Sequence, residues 1–309
     1  MTRRTAALVG MAFLMIAVVA SMGTAATVRD RMERQGPLMP RILHQQQTWA
    51  TWEDGLNSYV YQGSSPVSTH ILFTDNGGIY DQVITAWRIY YTTMRWDSEL
   101  GWRVTLIVID RQTGNAYPIA DAESGQLGGL AVNPRDDTIA YSSWWTLYTQ
   151  DVTDLANPGE PREVDGDMYN TAGNPYWESD DTLLYDFKPQ GAYRAILSAD
   201  VSDPENPIIT TERAETGKDI WGPSKAGNVL VYNCTDGWIY IVRGASRAKQ
   251  VAQGFFAQLD PASRGRRIVY QTILPTHATV IGEAVDGGRR WFTRTISSPG
   301  MFNPGFLQP

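Results

Sequence analysis

The chain has 309 residues and a formal net charge of −7, with 26 Lys and Arg against 33 Asp and Glu. That balance argues against nucleic acid or anionic lipid as the main partner, since both reward clustered cations. The single cysteine, Cys234, excludes an intramolecular disulfide, and His44, His70 and His277 sit in three separated segments without metal-ligand spacing, so neither a metal nor a cofactor is expected.

In chain order, Arg3 and Arg4 precede an apolar run from Ala6 to Ala20, and Gly23-Thr24-Ala25-Ala26 offers small residues for cleavage. Residues 1–26 therefore read as an export signal, with an uncleaved anchor physically allowed. The expected location is secreted, periplasmic or cell-surface, with membrane contact only through that anchor. Residues 27–47 mix charges, prolines and glutamines without periodicity and read as a leader or tether.

Residues 48–298 read as one all-β unit, and 299–309 as a C-terminal tail. Ser58 to Gln62 and His70 to Thr74 look like strands of a degenerate repeat. From Ile79 onward the repeat is regular. Its clearest copy runs from the short strand Asn174-Pro175-Tyr176-Trp177 through the turn Glu178-Ser179-Asp180-Asp181 to a second strand at Thr182 to Phe187. A third strand follows at Tyr193 to Val201, and Asp203 to Pro207 turns into a fourth at Ile208 to Glu212. Turn-formers fall where the chain must reverse, and β-branched or aromatic residues fall between them. The same order recurs from Ile79, Leu130, Ile220 and Phe255; in the Ile220 copy Ser224 to Gly227 is expected as the first turn.

Each copy carries the same phrase in its second strand, ending in Tyr91, Tyr141, Tyr185, Tyr232 and Tyr270. A period of roughly 40 to 50 residues rich in short strands is the mark of a β-propeller. Adjacent apolar residues in these strands point to opposite faces, so both faces are buried, as a blade between two neighbours requires. The expected architecture is a β-propeller of four-stranded antiparallel blades; six blades are favoured, and five or seven would also close a ring.

Two stretches, Asn174-Pro175-Tyr176-Trp177-Glu178-Ser179-Asp180-Asp181-Thr182-Leu183-Leu184-Tyr185 and Leu130-Ala131-Val132-Asn133-Pro134-Arg135-Asp136-Asp137-Thr138-Ile139-Ala140-Tyr141, resemble the WD-like repeat of TolB-type propellers. The turns depart from that family's Ser-Pro-Asp-Gly form more than the strands do. The resemblance implies extracytoplasmic binding or scaffolding, although related propellers also serve as domains of peptidases and as polysaccharide lyases.

Catalytic signals are sparse. No nucleophile elbow feeds an α/β sheet, and no room remains for a second catalytic domain. Cys234 ends a second strand, where a small buried residue is commoner than a nucleophile. Asp165-Gly166-Asp167 and Asp75-Asn76-Gly77 resemble fragments of calcium loops, but blade turns need the same residues. Asn233-Cys234-Thr235 matches a glycosylation acceptor.

The most suggestive surface is one rim. Strands alternate in direction, so loops joining second to third strands and loops joining blades emerge together. They carry Trp96, Asp97, Glu99, Trp102, Trp144, Trp145, Lys188, Tyr193, Asp236 and His277, and between blades Asp167, Tyr169, Asn170, Lys218 and Asp219. Aromatics interleaved with carboxylates and amides suit a protein or carbohydrate ligand. Trp87, Trp177 and Trp221 are expected to fill gaps between blades. The function expected is a binding or scaffolding module. The alternative is a carbohydrate-active lyase or hydrolase, with His277, Tyr169 or Tyr193 as base and Lys188 as cation.

Overall fold

The computed structural model describes residues 47–52, 58–63, 70–75, 77–123, 127–260, 263, 265–276, 279–288, 290–296 and 301–306. The signal, residues 27–46 with His44 among them, and His277 lie outside the described residues, whereas Gln47, read as the end of the tether, opens the first strand. Within them run 24 strands, all antiparallel to their partners. Three come first, β1 (Gln47–Trp52), β2 (Ser58–Gly63) and β3 (His70–Asp75).

Five blades follow, each built from four consecutive strands. The first holds β4 (Ile79–Ile84), β5 (Arg88–Asp97), β6 (Gly101–Asp110) and β7 (Ala116–Glu123). The second holds β8 (Leu127–Val132), β9 (Thr138–Ser143), β10 (Thr146–Asp151) and β11 (Arg162–Asp165). The third holds β12 (Thr171–Trp177), β13 (Thr182–Lys188), β14 (Ala195–Asp200) and β15 (Ile208–Arg213). The fourth holds β16 (Ile220–Ala226), β17 (Val229–Cys234), β18 (Trp238–Arg243) and β19 (Lys249–Gln253). The fifth holds β20 (Phe255–Leu259), β21 (Arg267–Ile273), β22 (Thr279–Asp286) and β23 (Trp291–Thr295). The last strand is β24 (Met301–Phe306).

The expected six copies are thus corrected: the chain folds five blades from consecutive strands, not six. The remaining strands are not consecutive in the chain. They form a composite sheet in the order β24-β1-β2-β3, so the two ends of the described chain close the ring together. β24 packs on β20 and β4 and takes the inner position. Residues 299–309, read as a tail, contain this strand. Such closure leaves no blade without a neighbour, which a ring of sheets needs if no inner face is to meet water.

The repeated phrase explains the packing. Tyr91, Tyr141, Tyr185, Tyr232 and Tyr270 are all buried on second strands. In three cases the hydroxyl donates to a carboxylate at the end of the preceding sheet: Tyr91 to Asp75 (3.0 Å), Tyr185 to Asp165 (2.6 Å) and Tyr232 to Glu215 (2.7 Å). Tyr141 instead donates to Gln150 within its own blade (3.1 Å). A hydrogen bond to a charged group contributes about 1.5–3 kcal/mol, so the phrase latches blades together as well as filling the space between them.

The inner strands share a second device. Each of β4, β8, β12, β16 and β20 carries a register shift, and in four of them a residue there has positive φ: Gly129 (61°), Asn174 (46°), Gly222 (60°) and Phe256 (52°). Because of that bulge, β16 resumes pairing at Ser224 opposite Val231. It continues to Ala226, so the turn expected at Ser224 to Gly227 falls instead at Gly227-Asn228. Side chains from one blade accept the bulge N–H groups of the next. Asp81 accepts from Leu130 (2.8 Å), Asp186 from Gly222 (3.1 Å) and Asn233 from Ala257 (3.4 Å). The result is a polar girdle around a central channel.

Candidate functional site

Inner strands start on the face that carries the second-to-third-strand loops. On that face the first three blades present large exposed side chains: Trp96 and Trp102 flank the β5–β6 turn, Trp144 and Trp145 make the β9–β10 turn, and Met168, Tyr169 and Tyr193 lie on the next loops. Trp96 and Trp102 meet edge to face with centroids 5.5 Å apart. The structure therefore leaves Trp96, Trp144 and Trp145 open rather than packed between blades. Trp177 is buried and Trp221 partly buried, as expected of gap-fillers. Trp87 is not: it is 52% exposed on the β4–β5 turn, at the opposite face.

Trp144 stands out for its backbone. Ser143 pairs with Thr146, so Trp144 and Trp145 form a two-residue hairpin loop, and Trp144 has φ of 59°. Loops of this length want positive φ at their first residue and normally place glycine, asparagine or aspartate there. A bulky side chain in that region costs roughly 1–2 kcal/mol. More than half of the residue nevertheless stays open, at 58% exposure.

Charges on this face divide sharply. Over the third and fourth blades Lys188 pairs with Asp219 (2.9 Å) and Lys218 with Asp236 (2.7 Å). The Arg194 N–H also donates to Asp219, and Tyr240 donates to Asp236. Burial pushes the Asp236 carboxyl up, but the donors Lys218, Tyr240 and the Trp238 N–H outweigh it and bring it to about 2. Hydrogen bonding to Asp236 raises Lys218 in turn. Nearer the aromatics, Arg95 is held by Asp75 and Arg103 by Asp121. Asp97, Glu99 and Asp167 are exposed and make no ion pair among the described residues. Asp97 accepts from the Glu99 and Leu100 N–H groups, and Asp167 from Tyr169 and Asn170, which holds both carboxyls below their ordinary value.

Of the residues named as a catalytic set, His277 lies outside the described residues. Lys188 pairs with Asp219 at the start of the β13–β14 loop, Tyr193 stands exposed on the same loop, and the Gln190 N–H of that loop donates to Asn170, next to the exposed Tyr169 (3.2 Å). The calcium-like fragments are turns with their oxygens occupied. Asp75 accepts from Gly77, Tyr91, Thr93 and Arg95, and Asp165 from Gly166 and Tyr185. Among the described residues no three His, Cys, Asp or Glu side chains gather around one point. Cys234 is buried, and Asn233 is wholly buried and hydrogen-bonded to the Trp221 carbonyl, so it presents no glycosylation acceptor.

Sequence reasoning passed over the channel. It encloses a cavity of about 290 Å³ walled by the inner strands of all five blades. Asp81 lies in the wall; desolvation lifts its carboxyl to about 6, although N–H groups of Leu130, Gln82 and Gly129 pull the other way. Tyr80 and Phe256 line the same cavity while 41% and 46% exposed.

No protein-family model matches the chain, and no curated protein matches its sequence. Solved structures do resemble it. TolB from Acinetobacter baumannii superposes with a TM-score of 0.65 at 11% identity, over 86% of this chain and 67% of that one. A chain of the nidogen/laminin complex gives 0.59 at 9% identity, over 84% and 97%. Puromycin hydrolase gives 0.57 at 13% identity, over 81% of this chain and 43% of the hydrolase. At such identities the likeness is one of fold, and at that level the resemblance to TolB-type propellers holds.

Proposed function

We propose that this chain is an extracytoplasmic binding or scaffolding module that holds a macromolecular partner on the loop rim of its first three blades. One observation carries the reading: Trp144 is kept in a left-handed backbone conformation with its ring exposed. A strained residue left mostly open is a reason to look for an external contact. Trp96, Leu100, Trp102, Trp145, Met168 and Tyr169 extend the exposed apolar surface around it.

Between a protein and a glycan partner, the rim favours protein. Its named cations are already paired, whereas Asp97, Glu99 and Asp167 are exposed carboxylates without an ion pair among the described residues, and Asp97 and Glu99 lie between Trp96 and Trp102. Lysine and arginine side chains satisfy both features at once, by charge and by cation–π contact. The extracytoplasmic setting rests on the N-terminal pattern and on the fold shared with TolB. The carbohydrate-active alternative draws no support from the rim, where its one cation is spent on Asp219.

Tryptophan fluorescence titration with synthetic peptides of matched length and opposite net charge, alongside an oligosaccharide panel, tests this. Binding of basic peptides that Trp144→Ala weakens by roughly tenfold or more is the expected outcome. Binding of oligosaccharides alone would replace protein by glycan. Turnover of an oligosaccharide would overturn the non-catalytic reading.

A further inference from the structure

We infer that the central channel is a second and separate binding site, taking a small neutral hydroxylated ring compound of about mono- or disaccharide size. The inner-strand bulge demands positive φ, and three blades meet it with Gly129, Asn174 and Gly222, residues that tolerate it. The fifth blade places Phe256 there instead, at φ of 52°, and leaves its ring 46% exposed in the cavity wall. Phe255 touches that ring edge to face, with centroids 5.4 Å apart, but does not cover it. In the first blade the residue at the register shift is Tyr80, also partly open to the cavity. These two blades flank the composite sheet, so the channel has an aromatic side and, across the second to fourth blades, a side built on small or polar bulge residues.

The wall sets the ligand's chemistry. Among the described residues it contains no Lys, Arg or His side chain to hold an anion. Its one acid, Asp81, is engaged by backbone N–H groups and is not spare for a cation. Polar groups remain interleaved with the rings: the Gln258 amide lines the cavity, and two buried side chains in the wall, Thr92 and Trp177, have Oγ1 and Nε1 atoms without a hydrogen-bond partner among the described residues. A neutral ring with an apolar face and a polar edge matches both surfaces. The volume of about 290 Å³ lies at the small end of ligand pockets.

The test is isothermal titration calorimetry of the full chain with neutral mono- and disaccharides at millimolar concentration, with glucuronic acid as the anionic arm. Phe256→Gly installs the residue that the second and fourth blades use at this position, so it is expected to fold with unchanged or higher thermal stability. It should weaken neutral-sugar binding by roughly tenfold or more, Thr92→Val by less, and Trp144→Ala not at all. Glucuronic acid should give no saturable heat. The inference is overturned if no neutral sugar saturates, if Phe256→Gly binds as the wild type does, or if glucuronic acid binds as well as neutral sugars. It is equally overturned if Trp144→Ala abolishes the heat, which would move the site to the rim and leave the rim reading standing.

Discussion

The two sectors of the loop rim contrast in how far their side chains satisfy one another. Over the third and fourth blades, Lys188, Asp219, Lys218, Asp236 and Tyr240 answer one another within 3 Å, and Arg194 ties the loop to the buried Asp186 at 2.6 Å. Over the first three blades, aromatic rings stand open, carboxylates lack cations, and one tryptophan is strained. The first arrangement is satisfied internally; the second leaves its groups open to solvent. Charged residues in a surface loop therefore identify a site only when their own neighbours have not already claimed them.

The contrast breaks most visibly at Asp186, which is wholly buried and accepts from Arg194, Asn174 and the Gly222 N–H. Asp186→Ala leaves those donors unanswered and is expected to cost about 3–5 kcal/mol in chemical denaturation. A loss below about 1 kcal/mol would show that the paired sector is not structural.

Next in size is a pH effect at Asp81. Burial lifts its carboxyl to about 6 in the fold from an ordinary 3.8, so the folded state holds its proton more tightly than the unfolded one. The stability this provides is fully present below about pH 4 and is lost as pH rises through 6, an upper limit of about 3 kcal/mol. Asp81→Asn cannot titrate. Melting curves of the variant and wild type should therefore diverge in the variant's favour between pH 5 and 7.5; parallel curves would remove Asp81 as the cause.

Trp144→Gly sharpens the contrast from the other side. It relieves left-handed strain of roughly 1–2 kcal/mol and gives back part of that in chain entropy, so stability should rise by about 1 kcal/mol or less while peptide binding falls. A variant that loses stability would mean that the ring packs internally after all. Smallest of all is Lys218→Ala, an exposed pair member, which should leave both melting temperature and peptide affinity unchanged within error.

Much of the fold was legible because blade packing imposes a local rule. Tyr91, Tyr141, Tyr185, Tyr232 and Tyr270 had to follow apolar residues, since a second strand is buried on both faces. Closure was harder to read, because β1 and β24 meet from opposite ends of the chain. A signal nevertheless existed: Asn303-Pro304 repeats Asn174-Pro175, and both pairs fall at the inner-strand register shift. For the rim, alternating strand direction placed the loops together, and the exposure of Trp96, Trp102, Trp144 and Trp145 followed. That Lys188 and Lys218 were spoken for was not legible, because their partners lie 31 and 18 residues away. Phe256 gave no sign at all, since positive φ belongs to the backbone and Phe255-Phe256-Ala257 reads as ordinary strand.

Protein binding by the open sector of the rim, as proposed, turns on Trp144. It is tested most directly by comparing the affinity of one basic peptide for the wild type and for Trp144→Ala at low and physiological salt. Saturable quenching of tryptophan fluorescence is expected, with a roughly tenfold or greater loss in the variant and weakening with salt as the exposed carboxylates are screened. Equal affinity in wild type and variant, or no saturable binding by any basic peptide, would contradict it.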